Sequence, residues 1–230
     1  MGNIKPFVDC SSVVMVMNKI KNAYETSPVV FERTLKDMRS RAPGKVASAV
    51  TSVYGIKKSE IKCKSNSFKR GAGNIYARGN DLASFELLYY GRSLTPLHFG
   101  MTPSVRPNKK QYKVKAKIKK NKATVLKAEK NKQEIKGGAI FLASNPKKPS
   151  QILPWERLSP YNKNSSKSEK NAAKYDIRGK RTMSLPQMVD NWQVRKIINK
   201  NLGELCKKRF DNALKQHLNR KLKWVFFFIN

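Results

Sequence analysis

Tyr112-Lys113-Val114-Lys115-Ala116-Lys117-Ile118-Lys119 sets an apolar residue at every even position and a lysine at every odd one. A β-strand turns successive side chains to opposite faces, so this run reads as a half-buried strand with one lysine-coated face. Lys120-Asn121-Lys122 reads as the tip of a hairpin, and 123–128 as its return strand. Upstream, 74–78 and 84–90 are short apolar runs separated by Gly79-Asn80-Asp81, a turn signal. Downstream, 137–143 reads as another short strand. A small, mainly antiparallel sheet is therefore expected from about 73 to 143.

Helical spacing flanks this region. Ser27-Pro28 reads as a helix start, with Ser27 as the cap and Pro28 in the first turn, where its missing N–H costs nothing. Val30, Phe31, Leu35 and Met38 follow at helical intervals. Ala42-Pro43-Gly44 is expected to break the run. A second helix over 44–54 then carries Val46, Ala49, Val50 and Val53, with Gly55 ending it. Lys57-Lys58-Ser59-Glu60-Ile61 reads as a turn or a short third helix. Residues 12–26 open on an apolar patch, Val13 to Met17, that fits a strand or a short helix equally.

On the other side, 145–174 is rich in Pro, Ser, Asn and Lys and reads as a long, mobile surface loop, in which Trp155 either packs or faces a partner. Ser184-Leu185-Pro186 reopens helical structure. Val194, Ile197, Ile198, Leu202 and Leu205 form a stripe, overlapped by Cys206, Phe210, Leu214 and Leu218. Steps of four drift by about 40° each around an α-helix, so the stripe winds; it serves more than one partner, or the helix bends at Gly203. Trp224-Val225-Phe226-Phe227-Phe228-Ile229 reads as a final core strand or a docking segment. The fold class is α+β, with N-terminal helices and a long C-terminal helix packed on the sheet. A domain over 28–222 holds the basic hairpin (about 109–136) and the loop, between an extension (1–27) and an apolar tail (223–230).

The 230 residues carry 49 Lys and Arg against 15 Asp and Glu, a formal charge of +34. Such a surface repels itself unless anions lie nearby, and phosphate is the usual anion. The alternative is a merely solvated basic surface. From 106 to 148 there are 15 basic residues and only Glu129 and Glu134 to oppose them. The candidate phosphate contacts are Arg106, Lys109, Lys110, Lys113, Lys115, Lys117, Lys119, Lys120 and Lys122. Lysines on a strand have a second reading, as guards of a sheet edge against aggregation.

Other classes find little support. No apolar run is long enough for a membrane-spanning helix, so no membrane partner is expected. The start lacks the pattern of a secretory signal or of a myristoylation site. Cys10, Cys63 and Cys206 are far apart and odd in number, so neither a disulfide framework nor a zinc ribbon is indicated, and a reducing compartment is expected. His98 and His217 have no metal-ligand spacing, and His217 reads as structural. Arg70-Gly71-Ala72-Gly73 is too short for a dinucleotide loop. Glu60-Ile61-Lys62 has the Glu-x-Lys form of some metal-dependent nucleases but lacks a partner Asp on a preceding strand. No enzyme, cofactor or metal is expected.

The order of the segments carries a resemblance. Tyr54-Gly55-Ile56 with its basic followers comes first, then Gly73-Asn74-Ile75-Tyr76-Ala77 and Leu87 to Tyr90. Gly91-Arg92-Ser93-Leu94-Thr95-Pro96-Leu97-His98-Phe99, the basic strand from Tyr112, and Gly138-Ala139-Ile140-Phe141-Leu142-Ala143 follow. Tyr175-Asp176-Ile177-Arg178-Gly179-Lys180 then leads into Ser184-Leu185-Pro186-Gln187-Met188-Val189 and a long helix. This series resembles the phage minor tail protein Z family, the tail-completion proteins of long-tailed phages, over roughly residues 28–222. Residues 119–136 and 145–174 are longer than the family pattern.

The resemblance implies a non-enzymatic virion protein, made in the host cytoplasm, that completes the head-proximal end of the tail and holds the leading end of the double-stranded DNA. It implies other tail or neck proteins as partners, the tail terminator and tail tube among them, and a homo-oligomeric ring. Phe210, Leu214, Leu218, Trp224, Phe226, Phe227 and Phe228 are the candidate subunit contacts. The competing class is a ribosomal or other basic RNA-binding protein, which explains the charge but not the ordered series. RNA recognition favours aromatics on a sheet face, here Tyr76, Phe85, Tyr89 and Tyr90.

Overall fold

The computed structural model describes residues 28–63, 73–79, 84–108, 112–127, 140–157, 166–169 and 177–229, with the backbone alone beyond 220. The protein is α+β, as the sequence predicts: helices near both ends of the described chain and small sheets between them. The chain divides into two compact units, one formed by 1–50, 58–92 and 185–230, the other by 51–57 and 93–184.

The first unit begins with α1, Pro28–Val53. Its buried positions run Val30, Phe31, Thr34, Leu35, Met38, Ala42, Pro43, Val46, Ala47, Ala49 and Val50, one stripe at helical spacing. The break expected at Ala42-Pro43-Gly44 is absent: one helix replaces two. A proline inside a helix costs about 3 kcal/mol, but burial remains in phase on both sides of Pro43, and that packing outweighs the local cost. Thr34 and Ser48 donate their hydroxyls to the carbonyls four residues back, Val30 (2.8 Å) and Gly44 (2.9 Å). The proposed Ser27 cap lies outside the described residues, as do 12–26.

A short 3-10 turn, Lys58–Glu60, precedes the sheet β1 (Ile61–Lys62), β2 (Gly73–Arg78) and β3 (Glu86–Tyr90), ordered β1-β2-β3. β1 runs parallel to β2, and β3 antiparallel to it. Ile61, Ile75 and Tyr89 are buried on one face. Gly73 shares that face, and a Cβ there would meet Leu185 Cδ2 at 2.5 Å, so α2 (Leu185–Val189) lies hard against it. The last helix, α3 (Trp192–Ile229), is capped by Asn191, whose Oδ1 accepts from the Gln193 N–H at 3.0 Å. Val194, Ile198, Leu202, Leu205, Cys206 and Ala213 are its buried positions. Burial pushes the Cys206 thiol up to about 11, so it stays protonated near neutral pH. Arg209 reaches Asp37 of α1 at 3.6 Å. The backbone stays helical through Gly203 to Ile229, so 224–229 is helix and not a final core strand.

The second unit holds two further sheets, so the one sheet expected over 73–143 is instead divided among three. β4 (Lys115–Lys119) and β5 (Lys122–Val125) form a hairpin turning at Lys120-Asn121, at the expected tip. β6 (Ile140–Asn145), β7 (Lys148–Arg157) and β8 (Ile177–Gly179) form an antiparallel sheet in that order. β7 occupies part of the stretch read as a mobile loop. Trp155 lies half-buried in it, donating to the Ala143 carbonyl at 3.3 Å. Met101, Val114 and Leu142 form the core of this unit, with Leu97, Tyr112 and Ile152 packed on it. The Tyr112 hydroxyl accepts from the Leu142 N–H at 2.8 Å.

One contact fixes how 53–55 meets the hairpin. Gly55 N–H donates to the Ile118 carbonyl at 3.0 Å, and a Cβ on Gly55 would sit 1.9 Å from the Lys117 carbonyl oxygen. No rotamer relieves a clash with backbone. Gly55→Ala is expected to lower stability by about 1–3 kcal/mol in chemical denaturation. An unchanged midpoint would mean that 53–55 does not lie against β4.

Candidate nucleic-acid interface

Residues 112–127 contain seven lysines and no acid. Val114 and Ala116 are buried, while Lys113, Lys115, Lys117 and Lys119 are exposed, as the alternation predicts. Lys120 in the turn, Lys122 at the start of β5 and Lys127 beyond it are exposed as well. Among the described residues none of the seven is held in an ion pair.

Both edges of β4 are occupied. On one, Ala116 faces Thr124 and the Leu126 N–H donates to the Val114 carbonyl at 2.8 Å. On the other, Lys115 exchanges both backbone bonds with Thr102, at 2.8 and 2.9 Å. Farther along that second edge, Tyr54 bridges Lys119, and the Lys120 N–H donates to the Val53 carbonyl at 2.9 Å. A register shift between Ala116 and Lys119 lets the strand change partner along its length. Edge guarding therefore does not account for the lysines of β4, because β4 has no open edge for a foreign strand.

Side chains on one face of a strand repeat at about 7 Å, so Lys113 to Lys117 span about 14 Å. Past the register shift, Lys119 pairs with Lys122 on the face of Ala116 and Thr124, so the exposed lysines surround the hairpin. Duplex DNA presents one charge per about 1.7 Å of axis, or about eight over the span from Lys113 to Lys117. Phosphates outnumber lysines, and an ammonium is a point charge with no fork geometry, so such a face grips backbone without reading sequence.

Arg106 is exposed on the segment between Thr102 and β4, while Lys109 and Lys110 lie outside the described residues. Lys113, Lys115, Lys117, Lys119, Lys120 and Lys122 come together on one hairpin. Sequence reasoning left out Arg181, exposed beside the hairpin, where it and Lys127 line a cleft of about 330 Å³ with Ile118, Thr124 and Leu126. Arg181 lies far along the chain from the hairpin, and no local pattern marks it.

The candidate subunit contacts belong to the other unit. Phe210 and Leu214 are half-buried and Leu218 is exposed on α3. Trp224, Phe226, Phe227 and Phe228 lie on its helical backbone, with side chains outside the described residues. Glu60 ends a 3-10 turn, and the Lys62 ammonium donates to the Ser59 carbonyl at 3.1 Å. Among the described residues no three His, Cys, Asp or Glu side chains gather. Comparison with protein-family models, curated proteins and solved structures finds no match for this chain.

Proposed function

We propose that this chain is a non-enzymatic structural protein of a phage tail, completing its head-proximal end and gripping double-stranded DNA through the exposed lysines of the β4–β5 hairpin. The observation that carries the DNA contact is the set of exposed lysines from Lys113 to Lys122 on one hairpin, none of them in an ion pair among the described residues, with both edges of β4 occupied. The tail assignment rests on the ordered series of segments that resembles the minor tail protein Z family. Several of those segments coincide with elements of the fold: Tyr54-Gly55 against β4, then β2, β3, β6, β8 and α2. Assembly around a tail axis favours a ring of identical copies, with α3 as the element offered for contact.

Quantitative mass spectrometry of density-purified particles, scaled to the major tail-tube protein, tests the assignment. A few to about a dozen copies per particle are expected for a ring at one end of a tail. Absence from particles removes the virion role and leaves the RNA-binding reading standing.

A further inference from the structure

The three-stranded sheet of the first unit has two unlike faces. Directly paired residues share a face, so Lys62, Asn74 and Tyr90 form one row across it, with Tyr76 and Leu88 in a second and Arg78 and Glu86 in a third. The opposite face carries Ile61, Ile75 and Tyr89 and is buried. On the first face the Tyr76 and Tyr90 rings stack, 5.6 Å between centroids and 6° from parallel, with their hydroxyls 3.3 Å apart. Asn74 and Tyr76 are buried on this face, while Tyr90, on the edge strand β3, is 52% exposed, one of five large hydrophobic side chains left so among the described residues. The stack fixes the Tyr90 ring against Tyr76 while half of the residue stays exposed.

We propose that this face binds an unpaired base of a single-stranded nucleic acid, stacked on the outer side of the Tyr90 ring. Three features support that occupant. A ring held by a parallel neighbour loses little freedom on accepting a base, and every base offers a π-face. Lys62, in the same row as Tyr90, keeps two N–H donors beyond the one given to Ser59, enough for a phosphate. Arg92, exposed just past β3, adds a second cation. The acid on this face, Glu86, is neutralised by Arg78 at 2.8 Å at the far end from Tyr90. A protein surface or an acidic peptide would gain from the cations but not from a lone flat ring.

This inference does not rest on the lysine face of β4. Binding of short oligo-dT, oligo-U and a DNA duplex is measured for the whole chain and for Tyr90→Ala and Tyr90→Phe. Tyr90→Ala is expected to weaken binding of a single strand about tenfold, with Tyr90→Phe within about twofold of the parent and duplex binding unchanged. The oligo-dT and oligo-U arms distinguish DNA from RNA as the source; either one held through Tyr90 upholds the site. No loss on either single strand, or equal loss on single strands and duplex, overturns it. Photocross-linking of a halogenated-uracil oligonucleotide to the unaltered chain avoids any folding defect of the variants. An adduct mapped to Tyr90 is expected, and adducts confined to other residues overturn the proposal.

Discussion

Replacing Lys113, Lys115 and Lys117 together with Gln is expected to flatten the salt dependence of duplex DNA binding. Each phosphate contact contributes about 0.9 to the slope of log K against log salt, so three lost contacts lower its magnitude by about 2.7. Between about 50 and 200 mM salt the parent then loses about 40-fold more affinity than the variant. The fold should tolerate the change, since all three side chains are exposed on β4. Both edges of β4 are bonded, so removing the charges opens no site for strand addition, and the variant should remain monodisperse where the parent is. Titration at several salt concentrations gives the answer, and an unchanged slope removes the lysine face from the DNA contact.

Glu156→Ala is expected to lower stability by about 3 kcal/mol or more. Its carboxylate is buried on β7, accepting from Arg178 at 2.5 Å and from Lys180 at 2.9 Å. The two cations are not equivalent. Arg178 is 44% exposed and can turn to water, whereas Lys180 is 13% exposed and would be left with a poorly solvated charge. Removing Arg178 should therefore cost less than removing Lys180, because the Arg178 pair is partly screened by water whereas the Lys180 pair is not. A drop in Tm of about 10 °C is expected for the Glu156 variant from the usual scaling of a chain this size. A thermal melt of the three single variants tests the order, and equal small losses would show that the triad is solvated.

The basic hairpin was legible because a two-residue period is a property of the strand itself: Val114 and Ala116 bury wherever the sheet forms. The helix stripes were legible for the same reason. Pro43 and Pro154 misled in the same direction. Each is a local penalty, one in a helix and one in a strand, and each is overruled by packing: Met38 and Val46 are buried on either side of Pro43, and Pro154, itself buried, pairs with the buried Leu142 of β6. β7 was further hidden because its alternation is mixed with Ser, Pro and Lys. The second edge of β4 was not legible at all. Its partners, Val53 to Gly55 and Thr102, are remote in sequence, and Gly55 read as a helix terminator rather than as the point where two backbones approach. The ion triad escaped for the same reason, since Glu156 meets Arg178 only once β7 and β8 pair.

The interleaving of the two units sets an order on synthesis. The first unit opens with α1 yet lacks Leu185, Met188, Val194 and Ile198 until residues beyond 184 have been made. The second unit, 51–57 with 93–184, is complete before them. During elongation the first unit therefore stays incomplete while a later-encoded unit gathers first. Long-range closure of the first unit slows folding and lengthens the time in which its apolar positions can meet other chains. A nascent polypeptide with this topology is a natural client for a ribosome-associated chaperone, and its yield should depend on translation speed across the span from α1 to α2.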